Sequence, residues 1–215
     1  MAKAPVKPLN INEFQNVTSV SRETLGRLEA YLRLLEHWQK RLNLVGEASL
    51  QDPWRRHFLD SAQLLPLLPK NTRIIVDMGS GAGFPGLVLG VLGVPEVHLI
   101  ESDAKKAAFL GEAARVTGVS AHIHRCRIAA LAPFPADAVT ARALAPLSRL
   151  LGEALPFLDL GAVGLFPKGR RVSEELTEAE KSWKMTVERF PSQSDRESVI
   201  LRIRDVHRAK RYDPR

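Results

Sequence analysis

Ile74-Ile75-Val76-Asp77-Met78-Gly79-Ser80-Gly81-Ala82-Gly83-Phe84-Pro85-Gly86 joins a short apolar run to three glycines, each separated from the next by one residue. The apolar β-branched residues predict a buried strand, and the glycines let the chain turn sharply and approach a ligand closely. A helix is predicted over 86–92, and its free N–H groups suit a polar or anionic ligand. Strand, glycine turn and helix together open a βαβ unit. The spacing is GxGxG, one residue tighter than the GxGxxG of dinucleotide-binding folds. A strand-to-helix turn with no ligand is the plainer alternative.

Downstream the pattern repeats. Strands are predicted over 73–78, 97–102, 121–126, 138–143 and 162–166, with helical stretches over 104–116 and 147–155. Short apolar strands alternating with helices predict an α/β fold, a parallel sheet covered on both faces. Two further strand-like runs, 184–190 and 198–204, have no helix between them and predict an antiparallel pair at the sheet edge. Upstream, 21–68 reads as helical. Leu25, Leu28, Leu32, Leu35 and Trp38 recur at spacings of three and four, Ser21 suits the N-cap, and Val20 and Leu25 suit a hydrophobic staple. A second helix is predicted from Asp52-Pro53 to near Pro66, with Trp54, Phe58, Ala62 and Leu65 on one face.

The chain has 215 residues, 45% hydrophobic and 26% charged, enough for one domain with a small appendage and too apolar for a disordered chain. Its one cysteine, Cys126, excludes an intramolecular disulfide, no Cys/His spacing suggests a metal, and none is expected. The amino terminus lacks the pattern of a signal peptide. The apolar stretch 143–167 is broken by Arg149, Glu153 and Asp159, so it does not read as a membrane span. A cytoplasmic protein is expected, as a monomer. Lys+Arg 31 against Asp+Glu 24 gives a net charge of +7, which suits a polyanionic partner without requiring one.

In an open parallel sheet ligands sit outside the carboxyl ends of the strands. That edge reads Gly79 to Gly83, Glu101, Arg127, Arg142 and Lys168-Gly169-Arg170-Arg171. Glu101 stands 20 residues after Gly81, where a carboxylate can accept both hydroxyls of a ribose. Arg142, directly after a strand, needs a partner such as a cofactor carboxylate or a phosphate. The remaining cations suit a phosphodiester backbone, although Arg170 and Arg171 are equally read as solvated, as are Lys105 and Lys106 at the start of a helix. Arg56, His57 and Asp60 share a helix side and are read either as a helix-stabilising ion pair or as a functional block.

The loop preceded by Asp77 resembles the first motif of S-adenosylmethionine-dependent methyltransferases. That resemblance implies that Asp77 lies near the methionine part and that Gly79, Gly81 and Gly83 pack against the cofactor. More specifically, Asn43-Leu44, Arg56-His57-Phe58-Leu59-Asp60-Ser61, Asp77 to Gly86 with its Gly83-Phe84-Pro85-Gly86 ending, Glu101-Ser102, Lys105-Lys106, Phe109-Leu110, Arg142-Ala143 and Lys168-Gly169 resemble the bacterial small-subunit ribosomal RNA methyltransferase G family, also called glucose-inhibited division protein B. The resemblance implies a Rossmann-like class I methyltransferase domain over 71–206, a helical cap over 21–70, a flexible 1–20 and a basic tail over 207–215. It implies transfer of a methyl group from S-adenosylmethionine to N7 of one guanine in the decoding region of 16S rRNA, free or in a small ribosomal subunit particle.

Family cofactor positions fall on Gly79, Phe84, the backbone of Ile128-Ala129, and Arg142; an acidic residue usually stands where this chain has Ala129. RNA contacts are expected from Arg56, His57, Lys105, Lys106, Lys168, Arg170 and Arg171. Guanine N7 carries an in-plane lone pair, so no general base and no catalytic residue is expected; rate comes from positioning a flipped or looped base. The competing readings are a methyltransferase acting on another RNA, a protein or a small molecule, a nicotinamide-dependent oxidoreductase, which the GxGxG spacing disfavours, and a non-catalytic RNA-binding module.

Overall fold

The structure is a computed structural model that describes residues 7–209. A seven-stranded sheet runs in the order β3-β2-β1-β4-β5-β7-β6. β1 (Ile74–Met78), β2 (Glu96–Ile100), β3 (Ala121–His124), β4 (Ala138–Thr140) and β5 (Val163–Lys168) are mutually parallel. β6 (Trp183–Pro191) and β7 (Val199–Arg208) are antiparallel, with β7 inserted between β5 and the edge strand β6. The strands start and stop within a few residues of the predicted runs.

Two helices lie where the sequence reading has none. α1 (Ile11–Thr18) occupies the stretch expected to be flexible; Asn10 accepts from the Glu13 N–H, the Glu13 carboxylate accepts from the Asn10 N–H, and Phe14 is fully buried. This capping box satisfies two otherwise orphaned donors and makes so short a helix viable. α7 (Val172–Glu180), between β5 and β6, buries Val172, Leu176 and Ala179 at helical spacing. α2 (Arg22–Gln39) begins as expected, with Ser21 accepting from the Thr24 N–H at 3.0 Å. The helix expected from Asp52 is instead a π-helical turn (Trp54–Leu59) running into α3 (Asp60–Ala62). Asp52 does not cap it: its carboxylate accepts from the Leu9 N–H and pairs with Arg55, tying the amino-terminal segment down. The tail from 210 onward and residues 1–6 lie outside the described residues; within 207–209, His207 and Arg208 still belong to β7.

Each face of the sheet carries its own core. Alternation along β1 sends Ile75 to one face and Val76 and Met78 to the other. On the first face Ile75, Val97 and Leu99 meet α4 (Gly86–Val91), α5 (Ala104–Thr117) and the amino-terminal helices in one continuous apolar cluster. Tyr31 stacks on Phe84 at 5.1 Å and meets Phe58 edge-on at 5.7 Å. The helical cap and the sheet therefore share one core. On the second face α6 (Leu147–Leu158) and α7 cover β4, β5 and β7. No helix connects β3 to β4, only a 3-10 turn (Ile128–Ala130). Among the described residues no helix is long and apolar enough to cross a membrane.

Candidate active site

The glycine loop needs its glycines for different reasons. Gly79, Gly81 and Gly83 have φ of 64°, 53° and 86°, in the left-handed region that side chains with a Cβ disfavour. A Cβ on Gly83 would stand 2.5 Å from Leu87 Cδ1 and 2.6 Å from the Tyr31 hydroxyl oxygen, whereas one on Gly81 would meet nothing closer than 3.8 Å. The loop is pinned from below. Ser80 N–H donates to the Ile100 carbonyl at 3.0 Å, Gly83 N–H to the Ser80 carbonyl at 2.6 Å, and the Tyr31 hydroxyl to the Ala82 carbonyl.

Above the loop Arg142 is held on several sides. It donates to the Arg56 carbonyl at 3.0 Å, to His57 Nδ1 at 2.9 Å and to Asp60 Oδ2 at 3.3 Å, and its guanidinium lies 5.0 Å over the Phe84 ring. Asp60 also accepts from the Ser194 hydroxyl at 2.5 Å, which links the π turn to the segment between β6 and β7. π-helical turns recur at functional sites; this one delivers a carbonyl and a ring to one arginine, and Asp60, the first residue of α3, adds a carboxylate. Burial pushes the His57 imidazole down to about 3, with the charges of Arg142 and Arg56 acting the same way. His57 is therefore neutral, accepting at Nδ1 and donating from Nε2 to Ser49 Oγ at 2.9 Å.

Asp77 faces the other way. It is buried beneath the loop, accepts from the Thr140 hydroxyl at 2.7 Å through Oδ1, and has no partner for Oδ2. Burial pushes its carboxyl up to about 6, against the lowering effect of the Thr140 hydroxyl. Glu101 closes the loop's outer side, accepting from the Gly81 N–H at 2.9 Å and the Asp103 N–H at 2.8 Å.

A cleft of about 800 Å³ opens between the loop, Arg142 to Pro146, the π turn and the segment after β6. Of the residues singled out in the sequence, Gly79, Gly81, Phe84, Arg142, Arg56, His57 and Lys168 line it. Asp77, Gly83, Glu101, Ile128 and Ala129 do not; the last two sit in the 3-10 turn after β3. The basic edge is more neutral than the sequence suggests. Lys168 is 9% exposed, donates to the Ala145 carbonyl at 2.9 Å and pairs with Glu175 at 2.8 Å. Arg170 pairs with Glu197 at 2.6 Å, Arg171 with Glu174 at 2.9 Å, and Arg56 with Asp195 at 3.5 Å. Lys105 and Lys106 are not among the residues lining the cleft; they start α5, where Asp103 accepts from their N–H groups. Sequence reasoning missed Ser49, Leu144 and Ser194 as wall residues; nothing in their spacing marks them. Asp60, read only as part of a helix side, is the anchor for Arg142.

Comparison with known proteins agrees with this architecture. Residues 24–200 match the family model described as GidB, rRNA small subunit methyltransferase G. The chain is 63% identical over 190 residues to the ribosomal RNA small subunit methyltransferase G of Rhodospirillum rubrum, covering 88% of this chain and 94% of that one. Among solved structures it resembles the ribosomal protein L11 methylase of Lactobacillus delbrueckii subsp. bulgaricus, with a TM-score of 0.56 at 16% identity over 74% of this chain and 79% of that one. It also resembles M. jannaschii TYW2 in complex with AdoMet, with a TM-score of 0.54 at 14% identity over 79% and 80% of the two chains. At such identities these two structures establish the class I methyltransferase fold and nothing finer.

Proposed function

Because the chain belongs to the rRNA small subunit methyltransferase G family, we propose that it transfers the methyl group of S-adenosylmethionine to N7 of a guanine in 16S rRNA, in the decoding region. The observation that carries this reading is Arg142, a guanidinium held in the cleft wall directly over Phe84 of the glycine loop.

The residues fit such a cofactor. Asp77 leaves a buried carboxylate oxygen unpartnered beneath the loop, which favours a cation above it. Glu101, oriented by two backbone N–H groups, keeps further lone pairs for ribose hydroxyls. Arg142 offers its guanidinium to the methionine carboxylate, while Ile128 and Ala129 would serve the adenine through their backbone. When bound, the cofactor supplies a methyl group made electrophilic by its sulfonium. The protein's part is to hold that methyl in line with N7, whose lone pair is free in neutral guanine. N7 needs no base, and the ionisable groups of the cleft wall already have partners: both ring nitrogens of His57 are engaged, Asp60 is shared between Arg142 and Ser194, Asp195 pairs with Arg56, and Glu175 pairs with Lys168. Proximity and orientation are what remain.

In this reading Arg56, Lys105, Lys106, Arg170 and Arg171 meet phosphates, while His57 and Lys168, both engaged within the protein, brace the cleft wall. The substrate is 16S rRNA or a small ribosomal subunit particle, met in the cytoplasm by a monomer. Incubation with tritiated S-adenosylmethionine and deproteinised or assembled 16S rRNA, followed by borohydride and aniline cleavage, tests this. Label at one cleavable guanine is expected. Label on another nucleotide, or none on RNA in any assembly state, would replace it with a different methyl acceptor.

A further inference from the structure

Outside the cleft, the amino-terminal half of β2 and the edge strand β3 bring a second set of chemical groups together. β2 and β3 are parallel, with His98 opposite His122 and Ile100 opposite His124. Side chains two apart on a strand share a face, so Glu96 and His98 stand beside His122 and His124. The missing helix between β3 and β4 leaves this face covered chiefly by Phe134, whose ring is 4.4 Å from that of His98. Glu96 Oε1 is 2.8 Å from His98 Nε2 and 3.3 Å from His122 Nε2, and the three atoms lie within 4.8 Å of one another. Ligand atoms around a tetrahedral zinc ion stand about 3.3 Å apart. His122 is 55% exposed along its side chain and can turn to complete that spacing.

The partner of the central ring points the same way. His98 Nδ1 is 2.9 Å from His124 Nε2. With zinc on Nε2, which otherwise donates to the Glu96 carboxylate, His98 would donate its Nδ1–H to His124, the arrangement by which an outer residue fixes the tautomer of a metal-binding histidine. We propose that Glu96, His98 and His122 form a Zn²⁺ site, completed by water, that staples the edge strand β3 to β2, with His124 as a positioning residue. Two imidazoles and one carboxylate suit zinc better than calcium or magnesium. The ligands on β2 stand roughly 10–16 Å along the strand from Glu101 at about 3.3 Å per residue, so the site is independent of the methyl-transfer reading.

Titration calorimetry of the untagged, chelator-treated chain with ZnCl₂ tests the site, supported by Co²⁺ absorption spectra and thermal melting. One equivalent of zinc is expected, with a zinc-dependent rise in Tm and a tetrahedral Co²⁺ spectrum. His122→Ala should weaken zinc at least tenfold and abolish the rise in Tm, and His124→Ala should weaken it 10- to 100-fold. His37→Ala, an exposed histidine in α2, should change neither, and His122→Ala should leave methyl transfer intact. Because His122 is largely exposed, its replacement does not disturb the core. Failure of the wild-type chain to take up stoichiometric zinc, or uptake unchanged in His122→Ala, overturns the proposal.

Discussion

Arg142 gives a guanidinium N–H to His57 Nδ1 at 2.9 Å, and that one bond fixes the histidine as a neutral acceptor. His57, expected among the RNA contacts, is buried and props the arginine that reaches over the glycine loop. The same block supplies Asp60 at the start of α3, so the π turn and the residue after it orient the guanidinium from three atoms.

The neutrality of His57 has a pH signature. Its folded pKa, about 3, lies below the value of 6.5 for a free imidazole. Its contribution to stability is therefore complete above pH 6.5 and is lost as pH falls toward 3, at up to about 1.4 kcal/mol per unit. His57→Asn, which keeps an acceptor for Arg142, should flatten the difference in denaturant midpoint between pH 7.5 and pH 5. An unchanged slope would mean that His57 is charged in the folded chain.

Asp77 carries the opposite sign. Its folded pKa of about 6 is above the ordinary 3.8, so its contribution is full below 3.8 and is lost as pH rises through 6. Asp77→Asn should raise stability at pH 8 by about 3 kcal/mol and leave it unchanged at pH 3.5. It should also weaken S-adenosylmethionine, since the buried negative charge is gone. Calorimetry at both pH values, with and without the cofactor, measures the two effects; tighter cofactor binding in the variant would contradict them.

The glycines separate by how much room each has. Gly81→Ala carries only the left-handed backbone cost, about 1–2 kcal/mol. Gly83→Ala adds collisions with Leu87 and Tyr31 in a packed core and should cost at least about 1–3 kcal/mol more. Thermal melting of the pair should rank them so, and equal Tm values would show that the loop yields at Gly83.

Lys168 and Arg170 should part company in RNA binding. Lys168→Met removes the ammonium that Glu175 and the Ala145 carbonyl hold, and Glu175 also accepts from the Leu147 N–H. It should cost about 2 kcal/mol of stability while leaving the salt dependence of RNA binding unchanged. Arg170→Ala should leave stability alone and lower the slope of log K against log salt by roughly 0.7–0.9. Filter binding at several salt concentrations distinguishes them; a reduced slope for Lys168→Met would put its ammonium on phosphate.

Strand after strand was legible because β-branched runs and a glycine turn are local signals. α1 and α7 were not, since each buries only one to three side chains and most of their residues are polar; the Asn10–Glu13 capping box and the Val172, Leu176, Ala179 spacing are visible once sought. In the cleft the residue pattern points to Arg142 and the glycines, which sit at or just after strand ends, and the family resemblance adds Phe84. The sequence could not show that Lys168, Arg170 and Arg171 each meet a glutamate, because those partners arrive from α7 and the β6–β7 connection. Nor could it show the histidine pairing across β2 and β3, which depends on parallel register.

The strand order bears on how the chain is made. β7 pairs with both β5 and β6, and among the described residues β6 pairs with no other strand. During translation β6 leaves the ribosome with no sheet to join, and the open edge of β5, with Leu165 and Phe166, waits for residues 199–208. A nascent chain stalled before Val199 therefore lacks two strands rather than one and exposes an unpaired edge to its neighbours.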